Sequence, residues 1–136
     1  VEYGRLRIAA AAERAAPAPA ELTVPGRAPF GAGELTCELG TDLPPGDGTL
    51  DAAALEGPLE VRAWRAGDRM RPLGLGGGSK SLQDLFTDRR VPRECRRSLP
   101  VVVAGAEIAW IPGVATGERF RITPATRERV RLVWRP

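Results

Sequence analysis

The segment GLGGGSKS, Gly74 to Ser81, stands one residue from the pattern of a loop that cradles nucleotide phosphates. In that pattern, G-x-x-x-x-G-K-[ST], backbone N–H groups wrap the phosphates, a lysine reaches them and a hydroxyl holds magnesium. Gly74, Lys80 and Ser81 fit, but Ser79 occupies the last glycine position and puts a Cβ where backbone must approach phosphate closely. The preceding GDRMRPLG carries charges at Asp68, Arg69 and Arg71 and a proline, so it is not the buried strand from which such a loop hangs. No apolar strand ending in a magnesium-holding aspartate follows. Nucleotide hydrolysis is set aside. A glycine loop with Lys80 at the mouth of a helix is still a generic site for one phosphate. A solvated surface loop is the other reading, and the residues leave both open.

Other chemistries are closed by composition. The chain has no histidine, which removes Ser-His and Cys-His catalysis, and its two cysteines alone leave a zinc site short of ligands. No metal site is expected. Cys37 and Cys95 read as reduced, partly buried thiols of a cytoplasmic protein. Asp84 and Asp88 are acids one helical turn apart, a spacing that more often means solvation or pairing with arginines than acid–base catalysis. No apolar run approaches the roughly 18–20 residues that cross a bilayer, so no membrane partner is expected. The opening VEYGRLRIAAAAERAAPAPA has charges where a signal peptide would be apolar, and Val1 in place of methionine reads as a fragment of a longer protein.

Charge is asymmetric. Residues 1–56 carry four arginines and nine acids, whereas residues 57–136 carry sixteen basic residues and eight acids. Nineteen of the twenty basic residues are arginine, whose planar fork suits phosphate. The asymmetry suggests an anionic partner, with nucleic acid the leading candidate and a merely solvated arginine face the alternative.

The elements that must position these side chains are short. EYGRLRIAA, ELTV and GELTCELG read as strands, and RIAAAAERAA has the alanines of a helix that Pro17 and Pro19 would soon end. AAPAPAE, PGRAPFGAG and TDLPPGDGT read as turn-rich connections. GPLEVRAW alternates as a strand with Leu59, Val61 and Ala63 on one face. RAGDRMRPLGLGGGSK is a long loop whose Gly67 and Asp68 supply turn chemistry. SLQDLFTD has apolar residues at helical spacing, capped by Ser79 or Ser81, and VPRECRRSL reads as a second short helix. LPVVVAGAEIAWIPG is a core hairpin turning at Gly105, and ERFRIT and VRLVWR are further strands, the former with Phe120 and Ile122 inward. The expected fold class is α+β, β-rich and sandwich-like, with mostly antiparallel strands and two short helices. Residues 1–56 are a strand-rich lead-in packed on the same domain as residues 57–136.

The stretch from Val61 to Thr123 resembles the C-terminal domain of bacterial tRNA(Ile)-lysidine synthetase. The pattern V-R, G-D-R-x-R-P-L-G, K-x-L-x-D-x-F-x-D-x-x-V-P, P-V, I-x-W-x-x-G and a final arginine-to-threonine strand is matched closely in spacing. The match includes Val61, Arg62, Gly67 to Arg69, Arg71 to Gly74, Lys80, Leu82, Asp84, Phe86, Asp88, Val91, Pro92, Arg96, Pro100, Ile108, Trp110, Gly113, Arg119 and Thr123. The family often pairs two lysines where this chain has only Lys80, and residues 1–56 match only loosely.

The resemblance implies a parent enzyme that uses ATP, with magnesium, to join L-lysine to the wobble cytidine of a tRNA(Ile) with a CAU anticodon. Its catalytic S-G-G-x-D-S loop belongs to an N-terminal domain and does not occur here, so this piece carries no catalytic residue and no cofactor. Its implied role is to grip the tRNA acceptor arm. Arg62, Arg65, Arg69, Arg71, Lys80 and Arg119 are the expected tRNA-binding residues, each able to neutralise a phosphate. Trp110 is expected in the core rather than stacked on a base. A competing reading makes the domain a docking or dimerisation module, set against its own N-terminal catalytic domain or a second copy.

Overall fold

Val101–Ala104 (β8) and Glu107–Ile111 (β9) form the hairpin at the centre of the molecule, whose computed structural model describes residues 16–136. Gly105, at φ 63°, supplies the left-handed turn residue between them. All four residues of β8 are buried because the strand is covered on both faces. Val102 and Ala104 point to one apolar cluster, and Val101 and Val103 to another. In β9 a bulge inserts Ala109 opposite the Val102–Val103 step. Ala109 and Trp110 therefore face the first cluster, while Ile108 and Ile111 face the second.

This hairpin belongs to a five-stranded antiparallel sheet ordered β1-β5-β8-β9-β10, with β1 Ala20–Leu22, β5 Leu59–Arg62 and β10 Ala115–Thr116. Against it packs a four-stranded sheet ordered β2-β3-β11-β4, from Gly26–Phe30, Gly33–Gly40, Arg129–Arg135 and Thr49–Asp51. Phe30, Leu35, Leu50 and Leu132 of this second sheet meet Leu22, Val61, Val102 and Trp110 of the first. On the other side of the five-stranded sheet lie two helices, α1 Leu82–Asp88 and α2 Arg93–Arg96, which bury Leu82, Leu85, Phe86 and Cys95 against it. The α+β, antiparallel, two-helix architecture is thus a sandwich with a third, helical layer. The lead-in residues share its core: β3 pairs with β11 over seven positions.

Several elements differ from the sequence reading. PGRAPFGAG is not only a connection, since Gly26–Phe30 forms a strand. Pro29 is tolerated there because β2 is the outer strand of its sheet and loses no ladder bond on its free side. Thr49–Asp51, expected within or beside a turn, is a strand against β11. ERFRIT is a single 3-10 turn over Glu118–Phe120 followed by extended chain, so Phe120 is buried and Ile122 only half-buried. The cause is Gly117, whose N–H donates to the Ala109 carbonyl at 2.8 Å. A Cβ there would stand 2.8 Å from the Ile108 carbonyl oxygen and 2.9 Å from the Phe120 ring. The strand expected over EYGRLRIAA and the helix over RIAAAAERAA fall on residues outside those described, apart from the last alanine.

Candidate nucleic-acid interface

β5 carries Arg62 into the body of the protein, where it is 8% exposed. Its guanidinium makes a bidentate pair with Asp68, Nη1 to Oδ2 at 2.9 Å and Nη2 to Oδ1 at 3.0 Å. Nη1 also donates to the Ala63 carbonyl at 3.0 Å. The Asp68 carboxylate accepts the Arg65 N–H at 2.7 Å, and its own backbone carbonyl accepts the N–H of Leu82. Burial pushes the Asp68 carboxyl up, but the Arg62 hydrogen bonds, the Arg65 N–H and the two positive charges outweigh it and hold it below the ordinary carboxylate range. Arg62 therefore departs from the expectation of a phosphate contact. Its donors are spent inside, building the turn from Arg65 to Arg69.

Beyond that turn the chain runs extended. Arg69–Met70 (β6) pairs with Lys80–Ser81 (β7), closing the glycine loop at its base. Pro72 bridges to Gly117, and Leu73 donates its N–H to the Thr116 carbonyl at 2.8 Å. Exposure alternates: Met70 and Pro72 are buried, while Arg69, Arg71 and Leu73 face solvent. The Glu118 N–H donates to the Arg71 carbonyl at 2.7 Å, which brings the 3-10 turn bearing Arg119 beside this row.

The result is an open cleft of about 480 Å³ whose lining includes Arg69, Arg71, Arg119 and Ser79 together with Glu56 and Glu107. Arg69 donates to the Ser79 hydroxyl through Nη2 at 3.1 Å. Arg119 pairs with Glu107 at 3.2 Å and lies over the Phe120 ring. Three guanidiniums face two carboxylates, so the cleft is cationic; Arg69 is held by Ser79 and Arg119 by Glu107, and Arg71 has no side-chain partner among the described residues. Such a site can accept phosphate oxygens without reorganising the fold.

The remaining expected residues lie elsewhere. Arg65 is exposed on the turn. Lys80 pairs with Asp88 and lines a separate cleft of about 400 Å³ with Leu73, Leu75 and Arg89. The N-terminus of α1 is capped by Ser81, whose hydroxyl accepts the Asp84 N–H at 3.1 Å, so the glycine loop does not present an open ring of N–H donors. With Ser79 engaged by Arg69 and Lys80 by Asp88, this loop does not fit a nucleotide triphosphate. Trp110 is buried and donates its indole N–H to Asp47 at 3.0 Å. Arg89 escaped the sequence reading, and Ser79, read there as a candidate helix cap, instead accepts from Arg69 in the cleft while Ser81 caps the helix. Among the described residues no cluster of three or more acids and cysteines is placed to hold a metal ion, and no helix is long and apolar enough to cross a membrane.

Residues 59–134 match the family model of the TilS substrate C-terminal domain. The chain belongs to that family. The span contains the five expected arginines and the one expected lysine. A crystal structure of a TilS C-terminal domain superimposes with a TM-score of 0.72 at 26% identity, covering 87% of this chain and 97% of that one. The tRNA(Ile)-lysidine synthase of Symbiobacterium thermophilum is 38% identical over 149 aligned positions, which cover 99% of this chain and 31% of the relative. That of Geobacter sulfurreducens is 41% identical over 103 positions, 71% of this chain and 22% of its own length. The chain thus spans less than a third of either relative.

Proposed function

We propose that this TilS C-terminal domain is the tRNA-holding part of a tRNA(Ile)-lysidine synthase, and that its arginine cleft grips the acceptor arm. The parent enzyme, in the cytoplasm, uses ATP to ligate L-lysine to the wobble cytidine of a tRNA(Ile) with a CAU anticodon, with the chemistry in its N-terminal domain. The observation that carries this reading is the convergence of Arg69 and Arg71 with Arg119, which is distant from them in sequence, on one cationic cleft. An A-form stem hides its major groove, so backbone phosphates and shape are what such a cleft can read. Arg65 extends the cationic surface along the turn. Lys80, already paired with Asp88, contributes less.

The test is binding of tRNA(Ile) over a salt series. Loss of one phosphate contact lowers the log–log salt slope by about 0.7–0.9, so Arg71→Ala and Arg119→Ala should each do so, and Lys80→Ala should change it less. Unchanged slopes for both arginine variants would remove the cleft from the interface. The docking reading has its own surface, a groove of about 480 Å³ whose lining includes Val24, Leu39, Leu55 and Val130 together with Glu21 and Glu128. Its mark would be a changed oligomeric state, or loss of association with the catalytic domain, on Leu39→Asp.

A further inference from the structure

Leu73 and Leu75 are 50% and 47% exposed, and both sit at the tip of the loop between β6 and β7. Leu39, on a strand of the other sheet, is the one further large apolar side chain this exposed among the described residues. Their backbone is held by one bond to β10 and two within the loop. The Leu73 N–H is held by Thr116, the Leu75 N–H donates to the Pro72 carbonyl, and the Gly78 N–H donates to the Leu75 carbonyl.

These leucines continue the arginine row. Alternate exposure puts Arg69, Arg71 and Leu73 on one side of an extended segment, in steps of about 6–7 Å. Leu73 also lies between two smaller clefts of about 400 and 450 Å³, and Arg89 lines both. The nearby acids are engaged: Asp88 by Lys80, and Asp47 by the Trp110 indole and the Gly113 N–H. The apolar tip is thus set beside Arg71 and Arg89, neither of which has an acid partner among the described residues. The surface complementary to it is anionic at its rim and flat and apolar at its centre, which describes the end of a nucleic-acid helix, with phosphates around an exposed base-pair face.

We propose that Leu73 and Leu75 form an apolar stop against the last base pair of an RNA helix lying in the Arg69–Arg71–Arg119 cleft. This rests on the reading of that cleft as an RNA site. Leucine packs on any base face, so the stop registers where a helix ends and not its sequence. It makes the domain a reader of helix termini, where the cleft alone would bind any stretch of duplex.

The test compares this chain with its Leu73→Ser/Leu75→Ser variant on two RNAs of the same stem, one with an open end and one closed by loops at both ends. The wild type should bind the open-ended stem on the order of tenfold more tightly, the effect of burying about one leucine side chain. The variant should lose that preference and keep the same salt slope. No preference in the wild type, or a preference retained by the variant, overturns the stop. Arg71→Ala in the same assay isolates the underlying reading: an unchanged salt slope there would remove the cleft itself. If the variant changes sedimentation behaviour while its RNA preference persists, the leucines serve self-association and the stop is again overturned.

Discussion

Asp68 closes the turn from Arg65 to Arg69 through its carboxylate and ties that turn to α1 through its carbonyl. The carboxylate is also the counter-charge that lets Arg62 lie 8% exposed. Removing one partner of such a pair leaves a buried charge uncompensated, which typically costs 3–5 kcal/mol. The Asp68 side chain keeps 14% exposure, so Asp68→Ala should cost about 3 kcal/mol in urea denaturation, at the lower end of that range. A loss under about 1 kcal/mol would show that the pair does not hold the turn. Because the folded-state carboxyl lies below its ordinary value, its stabilisation is complete above the free carboxylate range and is lost as pH falls through the folded value. Wild-type stability should therefore drop below about pH 4 more steeply than that of Asp68→Asn, whose amide cannot titrate. The turn role of Gly67 and Asp68 is readable from the sequence, but the fate of the arginines is not. Arg62 and Arg69 look alike as letters; one is buried at the end of its strand against Asp68 and the other stands on an exposed ladder. Arg96 repeats the point, buried with its Nε donating to the Val91 carbonyl and its guanidinium over Phe86.

α1 ends in a way its sequence does not announce. The Val91 N–H reaches back to the Phe86 carbonyl at 2.9 Å and the Arg90 N–H to the Thr87 carbonyl at 3.1 Å, a Schellman closure. That closure requires a left-handed residue, usually glycine, yet Arg90 occupies it at φ 57°. The left-handed conformation costs an L-residue about 1–2 kcal/mol, part of which glycine would give back through its freer unfolded state. Arg90→Gly should therefore raise stability by roughly 0.5–1 kcal/mol, seen as a higher urea midpoint with an unchanged slope. A lower midpoint would mean that the Arg90 side chain makes a contact worth more than the strain. The same contrast separates the elements that sequence reveals from those it hides. The run VVVAGAEIAWI declares a buried hairpin because an apolar strand with a glycine turn has few other uses, and Leu82, Leu85 and Phe86 declare a helix by their spacing. Gly26–Phe30 is hidden because Pro29 argues against any strand except an outer one, and outer position is a property of the assembled sheet. Phe120 is legible as core, but its 3-10 turn follows from the close packing of Gly117 on Ile108, which no local pattern encodes.

At the scale of the whole molecule, one sheet serves two cores. The five-stranded sheet packs on the four-stranded sheet with one face and on the helices with the other, so β8 and β9 cannot be lost without opening both. The arginine cleft draws on both sides of this arrangement: Arg69 and Arg71 come from the chain leading to α1, and Arg119 from the turn that seats Phe120 between the sheets. A cleft built in this way keeps its geometry only while the two layers unfold as a unit, and each layer contains a buried free thiol that reports on it. Cys37 lies between the sheets, with its thiol pushed up to about 11 by burial and by Glu38. Cys95 lies under the helices, also raised by burial and by Glu94. Both thiols are protonated and covered in the fold, and thiolate is the reactive form. At neutral pH neither should react with an aromatic disulfide reagent until the protein opens. In Cys37→Ala and Cys95→Ala variants, each retaining one thiol, the remaining cysteine should become reactive at the same urea concentration relative to that variant's own global unfolding midpoint. Coincident exposure is the outcome required by a shared sheet. If Cys95 reacted well before global unfolding, the helical layer would be opening by itself, and Arg69 and Arg71 would be carried on a part that moves independently of Arg119.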